Sequence, residues 1–491
     1  MRLRLAAFTP GPPQRSGGAA YAGILLPALA RRADVVAVSP VPVEWDGPTV
    51  APEDVRPADH DVAVHFLGNN PEHLFAYRSA LRFGGVVVSH DLGLRHLLGG
   101  FAPEDEAVDL AEQLGPERAA AVRARWSVGV ASEREAFLHL LIGRPFRGAS
   151  AAIVHSRFAA FQLQAELPWL PVFHVPSHTG VVPPHLDPPA AVRARLGLPT
   201  RAFVVGLFGY LGGHKRVPQS LDGIAAAVPE ATRMGVDLRV VLVGAEVGTD
   251  LSRLVEERGL SERATVLGAV DDRTFFEIMA AVDAVVNLRY PTVGETSATL
   301  VQAMALGKPV VTTDYGQFAE VKAALHVRPD QSEATGVAGA LVRLATCGSC
   351  RTRVAELARA AAARADVDGV AAAYVEILEG VHRRTEAPAP RRAGPLVAAG
   401  AAAELRGRPV GALDHLRLTG PAPDPAAVLA AANRSLSSAG RLEWAVGPGP
   451  PPESWAPGLE EAGFCLRASG EVVIADKWGL PALAAESPES Q

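Results

Sequence analysis

The chain has 491 residues, 48% of them hydrophobic and 20% charged, with a formal net charge of −6 from 47 basic and 53 acidic side chains. That length exceeds one hydrophobic core and predicts about three domains, or two large ones and an appendage. The composition excludes a disordered or fibrous chain, and the charge balance gives no reason to expect nucleic acid as a main partner.

No apolar run reaches the ~18 residues that a bilayer-spanning helix needs, and the apolar stretch of MRLRLAAFTPGPP is too short for a signal peptide. The chain therefore reads as cytoplasmic, without a transmembrane segment, although a peripheral membrane contact stays compatible with it. The three cysteines cannot build a disulfide scaffold. Cys347 and Cys350 form a C-x-x-C with no second pair at zinc spacing, and they read as incidental thiols.

In chain order, LRLAAF, a Gly-rich turn, YAGILLPALARR and DVVAVSP alternate short apolar strands with a helix. The pattern repeats through DVAVHFLG, a helix over 74–81, GVVVSHD, ASAAIVHS and a helix over 158–167, and predicts a parallel sheet covered by helices. The Pro- and His-rich stretch 168–189 breaks it and reads as a connection between domains.

A second series starts at FVVGLFGYL and runs through a helix over 217–228, LRVVLVG, a helix over 251–258, ATVLG, a helix over 272–281 and AVVNL. It continues through a helix over 296–306, PVVTTD and a helix over 317–324, with further helix over 352–382. The expected fold is α/β: two doubly wound Rossmann-like domains (1–185 and 186–382) facing a cleft, the usual place for a ligand in such folds. EAPAPRRAGP reads as part of a linker over 383–398, ahead of a small C-terminal α/β appendage over 399–491.

Within LRYPTVGETSATLVQAMALGKPVVTTDYG a helix is expected after Gly294, with Glu295, Thr296 and Ser297 serving its first amides, Gly307 its end, and Pro309 stopping it. Free amides and the helix dipole at that end attract phosphate, and Glu295 and Gln302 would lie within ~20° of each other on one helical face. A plain N-cap with a polar first turn explains the same residues. In FGYLGGHKR, a Gly-rich strand-to-helix loop that includes Gly209 leads to Lys215 and Arg216, which suits a pyrophosphate; a solvated basic helix start is the alternative.

Taken together, these runs resemble the family-four retaining glycosyltransferases of the GT-B fold, in the branch whose sequences read RYPT-x-GETS. The resemblance is strong over 200–325. It implies a nucleotide-sugar donor held by Lys215, Glu295, Gly209, Gly244, Arg289, Gly294, Thr296, Ser297 and Gln302, with Arg216 beside them and the base against backbone near Val270. Gln302 stands where most of the family has its second glutamate, strict counting puts the first on Gly294, and Tyr210 stands where an arginine often precedes the lysine. PPQRSGGAAYAGILLPAL resembles the family's first loop, placing Ser16, Gly17 and Gly18 near the donor phosphate or acceptor. GVVVSHDLGLRHLL resembles a segment of the same branch and puts His90 and Asp91 at the cleft.

The resemblance implies a hexosyltransferase acting on a saccharide, lipid-linked or small-molecule acceptor hydroxyl, in polysaccharide or glycoconjugate biosynthesis. The anomeric configuration is retained through front-side attack, in which the leaving diphosphate accepts the acceptor's proton. Lys215 and the helix amides would stabilise the leaving oxygens, while His90 and Asp91 orient sugar or acceptor. No metal and no cofactor besides the co-substrate is expected, and Asp271 and Asp272 read as a helix N-cap rather than a D-x-D pair. A catalytically inactive nucleotide-sugar-binding or scaffolding protein is the alternative, prompted by Gln302 and Tyr210. In the tail, DHLRLTG, DPAAVLAAANRSL, SAGRLEWAVG and LEEAGFCLRASGEVVIADK resemble the carboxyl half of an S-adenosylmethionine-dependent methyltransferase. No Gly-rich cofactor loop precedes them, which implies a remnant used for packing or partner binding.

Overall fold

The computed structural model describes residues 2–129, 135–178, 180 and 182–385 and, beyond them, the backbone of five strands between 396 and 477. The first strands are β1 (Arg4–Phe8), β2 (Asp34–Val38), β3 (Thr49–Val50), β4 (Val62–Leu67), β5 (Gly85–Ser89), β6 (Ala149–Val154) and β7 (Val172–His174). They form a seven-stranded sheet in the order β3-β2-β1-β4-β5-β6-β7, parallel at every pairing.

Alternate residues of each strand serve opposite faces, so a strand buried on both sides must be apolar throughout. Leu5 and Ala7 of β1 and Val86 and Val88 of β5 enter one core. Their neighbours Ala6, Phe8 and Val87 enter the other. β7 lies inside the stretch expected to be only a connection; three residues are enough for a short edge strand, and the prolines flank it. Helices Arg95–Phe101, Pro103–Leu114 and Pro116–Ser127 fill the region between β5 and β6, where no element was expected.

The second domain has β8 (Phe203–Phe208), β9 (Leu211–Gly212), β10 (Leu238–Val243), β11 (Glu246–Val247), β12 (Ala264–Gly268), β13 (Ala284–Asn287), β14 (Val310–Thr313) and β15 (Leu325–Val327). Six of these make a parallel sheet in the order β12-β10-β8-β13-β14-β15, and β9 and β11 pair separately. Val205, Leu207, Val240 and Leu242 face one core, Val204, Phe208, Val241 and Val243 the other. Two Rossmann-like domains, the GT-B architecture, are therefore present.

Helix Val367–Thr385 follows the second domain in sequence but packs on the first sheet, burying Val370, Ala371, Tyr374, Val375, Leu378 and Val381 beside helix Gly17–Ala30. Those positions recur at three- and four-residue spacing, one apolar stripe that the first core accepts. Cys347 and Cys350, expected as incidental thiols, are joined in a disulfide at the start of helix Gly348–Ala363. Beyond residue 385, β16 (Leu396–Val397), β17 (Leu413–Thr419), β18 (Leu436–Ala445), β19 (Phe464–Ala468) and β20 (Val472–Lys477) lie in the order β16-β17-β18-β20-β19. β16, β17 and β18 run parallel, and β20 is antiparallel to both its neighbours. The run DPAAVLAAANRSL and most of the linker lie outside the described residues.

Candidate functional site

The carboxyl ends of both parallel sheets carry the residues singled out by sequence, as the general rule for open α/β sheets requires. After β8 the chain turns sharply at Gly209 (φ +93°), and a Cβ there would lie 2.5 Å from Lys215 Nζ. Gly244 (φ +138°) ends β10, where a Cβ would fall 1.8 Å from the Gly209 carbonyl oxygen. Only residues without side chains let these two turns close over the lysine.

Lys215 is 7% exposed, although a strand-to-helix junction outside the core was expected for it. Its Nζ donates to the Phe208 carbonyl at 2.7 Å. Burial, and then the nearby Arg289, depress its pKa well below the ordinary lysine value. The site thus places an amine and a guanidinium side by side where little water screens them, an arrangement that disfavours the ammonium form until an anion is present. Arg289 Nε is buried with no hydrogen-bond partner among the described residues, and its guanidinium stands 3.6 Å from the Glu295 carboxylate. Arg216 is not free to join them: its Nε donates to both oxygens of the Glu333 carboxylate at 2.7 and 2.6 Å, and its guanidinium lies over the Tyr290 ring.

The helix expected directly after Gly294 begins later, as Ala298–Ala305, with Ser297 as N-cap accepting from Leu300 N. Ser297 is itself held by the Asn287 amide at the end of β13, which fixes where the helix starts. Glu295 therefore lies in the preceding loop and does not share a helical face with Gln302. Its carboxylate accepts from Thr292 Oγ1 at 2.6 Å and Val293 N at 2.9 Å, while Gln317 Nε2 donates to the Glu295 carbonyl at 2.7 Å. Thr299, in the first turn of this helix, comes next to Gly209, so the helix start and Lys215 adjoin. Val270 is partly buried on the second core, and Asp271 caps helix Asp272–Ala281 as expected.

From the first domain, Ser16 caps helix Gly17–Ala30 and also hydrogen-bonds to Glu72. Gly18 is pressed against His73, whose Nε2 would be 2.4 Å from a Cβ. His90 and Asp91 follow β5. Asp91 accepts from Asn69 N at 2.9 Å, and burial, then the Glu295 charge, push its pKa up to about 6 against the pull of Arg289. The two domains meet beside this pair, where Leu92 N donates to the Val293 carbonyl at 2.8 Å. Gly17, Gly18, His90 and Asp91 of the first domain and Thr296 and Gln302 of the second line one cavity of about 240 Å³.

Among the side chains of this cavity that sequence reasoning missed are Tyr21, His73, His155 and His178. His155 follows β6 in ASAAIVHS as His90 follows β5 in GVVVSHD, and the same strand-end rule would have marked it. The His90 ring stacks on His155, and the Tyr21 ring stacks on His178. Burial lowers the pKa values of His73 and His155 to about 4, and His90 well below 6.5, so the array is neutral at physiological pH. Among the described residues no group of three or more His, Cys, Asp or Glu is placed to hold a metal ion. No described helix is long and apolar enough to cross a membrane.

Residues 204–347 match the family model described as Glycosyl transferases group 1. No curated protein matches. Among solved structures, the chain is similar to HepE of Anabaena in complex with UDP and glucose (19% identity, 77% of this chain and 100% of that one, TM-score 0.53). It is also similar to sucrose-phosphate synthase from Thermosynechococcus elongatus (16%, 78% and 100%, TM-score 0.54). A third is WaaG, a glycosyltransferase involved in lipopolysaccharide biosynthesis (16%, 77% and 100%, TM-score 0.51). At these identities the structures speak for the fold, which is GT-B, while the match to group 1 glycosyl transferases is confined to residues 204–347 in the second domain.

Proposed function

We propose that the chain is a metal-independent, retaining hexosyltransferase that takes its sugar from a nucleoside diphosphate and delivers it to an acceptor hydroxyl. Transfer from a nucleotide sugar goes with the family; the retained configuration, the hexose and the residue roles are the finer reading. One observation carries it: Lys215 and Arg289 converge without full charge compensation beside the start of helix Ala298–Ala305, across from His90 and Asp91 of the other domain. A buried ammonium, a guanidinium and free helix amides suit a diphosphate whose charge grows as the glycosidic bond breaks. With the departing phosphate oxygen taking the acceptor's proton on the face where the sugar was bound, no protein nucleophile is required. His90 and Asp91 orient the sugar or the acceptor, and Glu295, Thr296 and Gln302 hold the donor, with Ser16, Gly17, Gly18, Gly209, Gly244, Gly294, Ser297 and Val270 shaping its surroundings.

HepE has been solved in complex with UDP-glucose, which makes that donor the first to try. A thermal-shift panel of nucleotide sugars is expected to single out one donor; at 100 times its dissociation constant a ligand stabilises the fold by ~2.7 kcal/mol. The selected donor should then release its nucleoside diphosphate in the presence of excess chelator. Binding without release or transfer to any acceptor would instead favour an inactive nucleotide-sugar-binding protein, and activity restored only by magnesium or manganese would remove the metal-free mechanism.

The domain limits 1–185, 186–382 and 399–491 are part of the same proposal, with helix Val367–Thr385 as the return to the first domain. The tail we read as a methyltransferase-like remnant, supported by its strand order and the antiparallel β20. A chain stopped at Arg392 is expected to stay folded and to keep its donor affinity within about twofold, since the cleft residues among the described ones all lie before that point. Loss of nucleotide binding by a folded truncate would overturn the separation.

A further inference from the structure

A chain of polar atoms runs from the backbone at the end of β7 into the cavity. The Val175 carbonyl can only accept, so the ring nitrogen 3.0 Å from it, His155 Nδ1, must carry a proton. A neutral His155 then presents a bare Nε2. His90 Nδ1 lies 3.1 Å from that nitrogen, so it must be the donor, and a neutral His90 carries no proton on Nε2. This Nε2 is buried, belongs to a residue lining the cavity, and has no hydrogen-bond partner among the described residues.

Other groups around the ring keep the arrangement neutral and in place. Tyr21 meets His90 edge-on, Phe66 stacks on it, and His73 approaches at 5.9 Å between ring centroids. His178 has its own tautomer fixed, since Nε2 donates to the Tyr21 carbonyl and Nδ1 accepts from Gly180 N. His73 is fixed likewise, with Nδ1 donating to the Phe66 carbonyl at 2.8 Å. A cation on His90 would face three close imidazoles and almost no water, which is why the array resists protonation.

We propose that His155 is a positioning residue that locks His90 in the tautomer protonated on Nδ1, making His90 Nε2 an acceptor-only contact for a sugar or acceptor hydroxyl. The consequence is selectivity. A hydroxyl placed against Nε2 donates into it, whereas a carboxylate or an ether oxygen at the same place meets a lone pair and finds no proton. Sites built to receive a particular hydroxyl reject analogues that lack it, because the buried polar atom is left unpaired. The hydroxyl belongs to the glycosyltransferase reading above; the tautomer does not.

The test has two arms. Nitrogen-15 NMR of histidine-labelled full-length protein without substrate, with His90 assigned through His90→Asn, should show Nδ1 protonated and Nε2 bare. His155→Leu, which removes the acceptor and keeps most of the volume, should abolish that preference. His155→Gln, whose amide oxygen can still reach His90 Nδ1, should restore it. In transfer assays His155→Leu is expected to lose roughly tenfold in kcat with a smaller change in donor KM, one hydrogen bond's worth, and His155→Gln to recover most of it. A His90 found protonated on Nε2 in the wild type, or a Leu variant with unaltered tautomer and kcat, would overturn the proposal. Should no nucleotide sugar be turned over, the glycosyltransferase reading fails and the NMR arm still decides the tautomer.

Discussion

Lys215→Met is expected to lower transfer by about two to three powers of ten while the melting temperature holds or rises. The scale is that of losing one group that stabilises charge in a transition state. The stability result follows from the burial of Nζ, whose only hydrogen bond among the described residues goes to the neutral Phe208 carbonyl while Arg289 repels it. A buried cation held without a carboxylate partner costs folding free energy, and an apolar chain of similar length removes that cost. A solvated Arg216 would have been the natural control, but Arg216 is ion-paired to the buried Glu333. Its truncation leaves an unpaired buried charge, a loss on the order of 3 kcal/mol, and so mixes stability with activity. Measured kcat and calorimetric melting of Lys215→Met decide the matter: wild-type turnover in a folded variant would move the donor site elsewhere.

Acidification from pH 6.5 towards 4.5 is expected to unfold the first domain steeply. His65, His73 and His155 have pKa values lowered by burial to about 4, and burial holds His90 well below its ordinary value. Above pH 6.5 these groups are neutral in both states and contribute no pH dependence. Below it the unfolded chain takes up protons that the folded protein refuses, so stability falls until the folded groups titrate near pH 4. Asp91 and Asp109 oppose this, since burial raises both to about 6 and the folded state gains their protons first. His60, His174 and His178 are lowered too and Glu106 is raised, so the lowered histidines outnumber the raised carboxyls and unfolding takes up at least about two protons, a slope of about 3 kcal/mol per pH unit or more. For domains of this size that is roughly 10 °C of melting temperature per pH unit. Calorimetry at pH 7, 6 and 5 provides the measurement; a flat melting temperature would mean that the histidines ionise in the folded state.

Much of the two-domain fold is legible from local pattern because a parallel strand covered on both faces must be an unbroken apolar run, and GVVVS, ASAAIV, FVVGLF and LRVVLV are such runs. The loops after β8 and β13 are legible for a related reason, since glycine turns and caps are written in single residues. The strand-end rule would have marked the place of His155, but its pairing with His90 was not legible, because a second strand end far away in sequence brings the two rings together. Glu295 was placed on the helix because a polar first turn and the residues before an N-cap have the same composition. The capping bond between Asn287 and Ser297, made across ten residues, chooses between the two.

The sequence alone determined most strands of the two sheets and the glycine turns that follow them, which depend on contacts within a few residues, and it carried the likeness to a glycosyltransferase family. Only the tertiary structure decided that helix Val367–Thr385 returns to the first sheet, that Lys215 is desolvated beside Arg289, that Arg216 belongs to Glu333, and that four histidines and Tyr21 form one neutral array. Each of these depends on groups far apart in sequence whose free energies are set by mutual burial, and burial is a property of the packed molecule rather than of any stretch of chain.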